Sequence, residues 1–117
     1  MTKYKKEIGA WGEGVAAEWL AERGYQVIAR NVRTPYGEID IIAQLGDVTI
    51  FVEVKTLTSS REFFPEKNIT RAKQQHMSNA AQSYSAEHEI DHFQIDAIAV
   101  EGKPGAKPVI THFENVV

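Results

Sequence analysis

The chain has 117 residues, 43% of them hydrophobic and 25% charged, which is the composition of a globular domain that can bury about two-thirds of its unfolded surface without disulfides or a structural metal. It contains no cysteine, which excludes disulfide frameworks, thiolate zinc sites and cysteine nucleophiles and fits a reducing cytoplasm. The net charge of −3 argues against a protein that coats nucleic acid through bulk electrostatics.

A nuclease stays open, because carboxylates gathered at a metal site depress the sum while separate cations still meet phosphate. Lys3, Lys5, Lys6, Arg30, Arg33, Arg61, Lys67, Arg71 and Lys73 are available for that, although each alone reads as a solvated surface charge. The start, Met1-Thr2-Lys3-Tyr4-Lys5-Lys6, is basic, but no apolar run follows it. No stretch approaches the roughly 18 apolar residues of a membrane span, so a soluble, unprocessed cytoplasmic protein without a membrane partner is expected.

In chain order, Lys5 to Arg23 predicts an amphipathic helix, with Ile8, Trp11, Val15, Trp19 and Leu20 at helical spacing and Gly24 as the stop. Glycines 9, 12 and 14 weaken its first half. Stepping 100° per residue sets Glu13 at the edge of the apolar arc beside Leu20; a place along the sheet margin and an ordinary exposed position both remain open.

Tyr25 to Val32 predicts a strand, Thr34-Pro35-Tyr36-Gly37 a turn, and Glu38 to Leu45 a second strand. Gly46-Asp47 signals a hairpin into a third strand, Val48 to Thr56, followed by a polar loop through Pro65 that carries Ser59, Ser60 and Arg61. Asn68 to Ala86 predicts the second helix, with Thr70 as a cap in its opening. His92 to Val100 predicts a strand, Gly102 to Pro108 a turn, and Val109 to Glu114 a last short strand. The order αβββαββ predicts a single α/β domain over residues 1–117, one mixed sheet with helices packed against it.

The hairpin supplies the chemical argument. If Gly46-Asp47 is a two-residue loop, Leu45 faces Val48, Asp40 faces Glu53 and Glu38 faces Lys55. Period-2 alternation then sets these four charged residues on one face, with Ile39, Ile41, Val52 and Val54 on the other. Two carboxylates across a strand pair, about 5 Å apart at Cβ, are destabilising. At about 4 Å they repel by roughly 1 kcal/mol in water and roughly 4 kcal/mol at a partly buried site, so a fold that keeps both ionised profits from a cation. Converging carboxylate oxygens suit Mg²⁺ or Mn²⁺. A lysine beside such a cation can orient an attacking water or neutralise charge that builds on a phosphodiester.

Asp40, twelve intervening residues and Glu53-Val54-Lys55 resemble the D…(D/E)-x-K signature of the PD-(D/E)XK nucleases. The ordered segments Gly9-Ala-Trp-Gly-Glu-Gly-Val-Ala-Ala17, Gly24-Tyr25, Asn31-Val-Arg33, Gly37-Glu-Ile-Asp-Ile-Ile-Ala43, Phe51-Val-Glu-Val-Lys55 and Phe93-Gln-Ile-Asp96 resemble successive motifs of the YraN-type bacterial family. An isolated E-x-K says almost nothing; the ordered set, covering nearly the whole chain, is specific.

That resemblance implies a three-layer restriction-endonuclease-like fold similar to archaeal Holliday junction resolvases. It implies Asp40 and Glu53 as metal ligands, Lys55 as the catalytic lysine, and Glu13 as the acid from the first helix that completes the site. Glu38 matches too, either pairing with Lys55 or forming a salt bridge of purely structural value. Lys73 and Gln74 stand where the family has a polar helix residue and are candidates for a phosphate contact. The chain departs from the family pattern in reading Lys55-Thr56-Leu57-Thr58 without a following arginine, and in placing Thr34-Pro35-Tyr36 where a short basic or glycine-rich turn is usual.

The expected activity is Mg²⁺- or Mn²⁺-dependent hydrolysis of DNA phosphodiesters, with branched or flapped DNA as candidate substrates. The alternative is a nucleic-acid-binding or adaptor protein that keeps the fold with little turnover. Symmetric cutting by resolvase-like enzymes makes a homodimer an expectation, with Trp11 or Phe63-Phe64 as the place to look for its interface. Asp96, between Ile95 and Ala97, reads as a buried hydrogen-bonded carboxylate rather than a ligand. Histidines 76, 88, 92 and 112 lack metal-ligand spacing and are expected at the surface. Ser59-Ser60 has no partnered His and Asp, and no phosphate-binding glycine loop is present.

Overall fold

The structure, a computed structural model, describes residues 3–57 and 69–117. Helix α1 spans Lys3–Glu22 and stops where the apolar pattern does. Gly24 takes a left-handed φ of 89°, and Tyr25 N–H returns to the Leu20 carbonyl at 3.1 Å. Strands β1 (Gln26–Thr34), β2 (Gly37–Leu45) and β3 (Val48–Leu57) form an antiparallel meander. Helix α2 (Arg71–Glu87) then crosses over to β4 (Phe93–Glu101), which lies parallel to β3, and β5 (Val109–Phe113) closes the far edge antiparallel to β4. The sheet order is β1-β2-β3-β4-β5, and the mixed sheet and element order αβββαββ are those expected from the sequence.

Each helix covers one face. On the α1 side Ala16 and Leu20 pack on Ile41, Val52, Ile98 and Val100; on the α2 side Ala80 and Ala81 pack on Ile42, Phe51 and Ile95. With both faces covered, β4 is buried from Ile95 through Val100. Thr70 caps α2, its hydroxyl accepting from Lys73 N–H at 3.2 Å, so the helix starts three residues after the Asn68 expected. The predicted loop with Ser59, Ser60 and Arg61, and Phe63-Phe64, lie outside the described residues. No helix among the described residues is long and apolar enough to cross a membrane.

Gly12 explains one of the glycines in α1. A Cβ built there would come within 3.0 Å of Thr56 Cβ on β3, so the helix backbone lies directly against the central strand. Gly9 and Gly14 have open space around them.

Three expectations are corrected. Ile39 leaves the face of Ile41, Val52 and Val54 and packs with Ile42 on the α2 side. On β1, Ala29 and Val32 share that same side although three residues apart, with Asn31 at φ 53° between them. A left-handed residue flips the alternation, and the paired strand follows. Trp11 is no free surface aromatic: it packs against the α1-side core. His112 is likewise drawn in, its side chain 11% exposed, because the fully buried Asp96 carboxylate accepts from its Nε2 at 2.7 Å while Trp19 stacks edge-on at 5.4 Å. Asp96 also accepts from Gln94 Nε2 and Asn115 N–H, both at 3.0 Å, so the carboxylate is satisfied within the core.

Candidate active site

The hairpin register holds from Leu45 opposite Val48 through Ile41 opposite Val52 and ends there. One step further, where Asp40 and Glu53 would pair, the ladder gives way to a side chain. Val54 N–H donates to Asp40 Oδ2 at 2.8 Å, so the carboxylate takes a backbone donor of β3 that no longer meets a carbonyl of β2. The strands fork here, and the carboxylates gather at the fork.

Glu13 reaches it from α1, which Gly12 holds close to β3. Glu13, Glu38 and Asp40 each offer an oxygen within 4.8 Å of the other two. Asn31 ties the group together: with its amide nitrogen turned to the acids, it donates to Glu13 Oε1 at 2.8 Å and Glu38 Oε1 at 3.2 Å. Burial pushes the Asp40 carboxyl up to about 7, and the charges of Glu53, Glu13 and Glu38 add to the effect while the Val54 N–H opposes it. Burial raises Glu13 too, reinforced by Glu38 and Glu53 and opposed by Arg30 and Asn31. An all-oxygen cluster of this kind suits a hard divalent cation. Ligand oxygens about 2 Å from Mg²⁺ lie at most about 4 Å apart, so a small adjustment of side chains would close the set.

Glu53 stands beside this trio and outside it. Its Oε1 pairs with Lys73 Nζ on α2 at 2.9 Å, while its charge is still felt by Asp40 and Glu13. Lys55 is exposed and, among the described residues, forms no ion pair; the expected Glu38–Lys55 partnership is absent because the ladder that would set them opposite ends at Ile41. Gln74 turns its amide to the Ile69 carbonyl at 3.3 Å, a contact that supports the entry to α2. Of the residues singled out in the sequence, the structure brings Glu38 together with Glu13 and Asp40, and sets Glu53 against Lys73.

Asn31 also belongs to the site. An asparagine inside a strand is itself a signal, since Asn is depleted there and tolerates the left-handed region. On the α2 side a cleft of about 190 Å³ opens next to the fork, bordered by Glu38, Glu53 and Lys73, with Ile39, Phe51 and Met77 among its apolar walls.

Comparison with known proteins agrees with the ordered motifs. The model of uncharacterised protein family UPF0102 matches residues 12–100. The chain is 40% identical over 115 residues to a UPF0102 protein of Syntrophotalea carbinolica, covering 97% of this chain and 93% of that one. It is 42% identical over 104 residues to one of Symbiobacterium thermophilum, covering 87% and 88%. Among solved structures, Pyrococcus furiosus SfsA in complex with Ca²⁺ covers 94% of this chain and 63% of its own, at 13% identity and a TM-score of 0.38, a likeness too loose to carry an argument. With the family model spanning α1 to β4 and relatives this similar along nearly their whole length, the chain belongs to uncharacterised protein family UPF0102, the YraN-type family its motifs resemble.

Proposed function

We propose that the protein is a divalent-metal-dependent endonuclease that hydrolyses DNA phosphodiesters, branched or flapped DNA being its candidate substrates. The observation that carries this reading is the convergence of Glu13, Glu38 and Asp40 at the fork of β2 and β3, with Glu53 one residue beyond the last paired Val52. Glu13, Glu38 and Asp40 would hold Mg²⁺ or Mn²⁺, with Glu53 able to join on leaving Lys73. When bound, the cation supplies Lewis acidity toward a phosphodiester.

The chain's own residues do the rest. Asp40 is oriented through Oδ2 by the Val54 N–H, which leaves its other oxygen free for the site. Asn31 holds Glu13 and Glu38 in place. Lys55, exposed two residues beyond Glu53, offers a charge for the phosphate as negative charge builds on it. Lys73, once released by Glu53, offers a second.

Mn²⁺ titration by calorimetry, with cleavage of branched, single-stranded and duplex DNA, tests the reading. Wild type binds Mn²⁺ and cuts; Asp40→Asn loses both; Lys55→Ala keeps Mn²⁺ binding and loses cutting. Protein that neither binds Mn²⁺ nor cuts any of these DNAs overturns it. A second reading, a DNA-binding or adaptor protein with little turnover, is favoured by one observation: Glu53 is engaged by Lys73 while Lys55 stands apart from the carboxylates. It predicts DNA binding that survives Asp40→Ala.

A further inference from the structure

The cleft on the α2 side is separate from the carboxylate cluster but shares Glu38 with it. Its volume of about 190 Å³ lies below the roughly 300–1,000 Å³ of pockets that hold drug-sized ligands, a size that suits one planar ring system. Ile39, Phe51 and Met77 give it apolar walls, and His76 adds a polar edge.

Tyr36 borders the cleft and is 48% exposed, a large aromatic left in solvent beside an apolar cavity. It is also held there. Thr34 Oγ accepts from Tyr36 N–H at 3.1 Å and donates to the Gly37 carbonyl at 2.8 Å, and Gly37 adopts φ 126°, so the Pro35-Tyr36 turn is pinned between paired Thr34 and Gly37. A ring presented on a pinned turn loses little conformational freedom when something stacks on it. This is the segment in which the chain departs from the family's basic or glycine-rich turn.

We propose that the cleft takes one unpaired base of a DNA strand, stacked against Tyr36, while a neighbouring phosphate lies at the carboxylate fork. The phosphate contact rests on the nuclease reading; the base contact does not. Glu38, common to cluster and cleft, joins the two. Lys73, which borders the same cleft, is a cation positioned for the intervening backbone. The substrate class that follows is DNA with a single-stranded nucleotide next to the scissile bond, such as a flap, fork or bulge, and not continuous duplex.

The experiment is a cycle between base removal and ring removal. Affinity for a labelled flap DNA is measured by fluorescence anisotropy in Ca²⁺, with an abasic nucleotide placed at each flap position in turn, for wild type, Tyr36→Ala and Tyr36→Phe. Base–aromatic stacking corresponds to about 5- to 150-fold in affinity. Wild type should lose that factor at one position; Tyr36→Ala should have lost it already and be indifferent to the abasic site, and Tyr36→Phe should behave as wild type. Thermal melting of Tyr36→Ala should match wild type, since the side chain is largely exposed. Flap cutting in Mn²⁺ with no sensitive abasic position overturns the base site and leaves the nuclease reading intact. A sensitive position that vanishes in Tyr36→Ala, without cutting of any DNA, upholds the base site and overturns the nuclease reading. Equal affinity for continuous duplex and flap, at every abasic position, also overturns the base site.

Discussion

Replacing Asp40 by asparagine keeps the shape and the oxygen that accepts from Val54 N–H, and removes only the charge. In the folded chain Asp40 holds its proton up to a pH of about 7, against 3.8 for an unperturbed aspartate, first because it is buried and then because Glu53, Glu13 and Glu38 surround it. The folded state therefore binds more protons than the unfolded state between these two values, and its stability falls as pH rises from about 4 to about 7 and levels off above. Three units at about 1.4 kcal/mol each come to about 4 kcal/mol. Urea unfolding in EDTA should show Asp40→Asn more stable than wild type by about this amount at pH 8.5, with the difference closing at pH 4. Added Mn²⁺ should then narrow the difference, since a ligand at a hundred times its dissociation constant stabilises wild type by about 2.7 kcal/mol and the variant lacks a ligand oxygen for it. Asp40→Asn that is less stable than wild type at pH 8.5, or a difference that ignores pH, would refute the account of the fork as a cluster of unneutralised acids. Asp40→Ala, by contrast, strands the Val54 N–H and should cost about 1–3 kcal/mol relative to Asp40→Asn in the same urea series.

The two glycines of α1 should respond oppositely: Gly14→Ala, with open space around it, gains about 0.5–1 kcal/mol in thermal melts, whereas Gly12→Ala meets Thr56 and costs about 1–3 kcal/mol while weakening Mn²⁺ binding through displacement of Glu13. His112→Ala removes a donor from the fully buried Asp96 and should cost about 3 kcal/mol in urea unfolding, with no change in Mn²⁺ affinity because neither residue belongs to the carboxylate trio. Lys73→Ala, at a partly exposed ion pair, should change stability by less than about 1 kcal/mol, and a larger loss in DNA affinity than in stability would show that the lysine serves ligand more than fold.

Local chemistry made much of this protein legible in advance. Helical spacing from Ile8 to Leu20 ended at a glycine that does end the helix; Thr70 caps α2; and Gly46-Asp47 set the β2–β3 register, pair for pair, as far as Ile41 and Val52. Such features depend on neighbours in sequence or on a two-residue turn, and propensity and periodicity report them well. The neighbourhood of Glu13, Asp40, Glu53 and Lys55 was legible for the same reason, helped by the order of the motifs.

Where the ladder stops was decided by tertiary structure. Asn31 turns left-handed, Ile39 changes face, and Asp40 replaces a carbonyl as partner of Val54 N–H; periodicity assumes that alternation continues and so could not see any of the three. The meeting of Glu38 with Glu13 and Asp40, and the pairing of Glu53 with Lys73, follow from that fork and from α2 lying over β3. His112 is drawn inward by Asp96, sixteen residues away on the adjacent strand, a partner that no local pattern reports. Sequence alone determined which residues could do chemistry; strand divergence and helix placement, both sums of contacts distant along the chain, determined which of them meet.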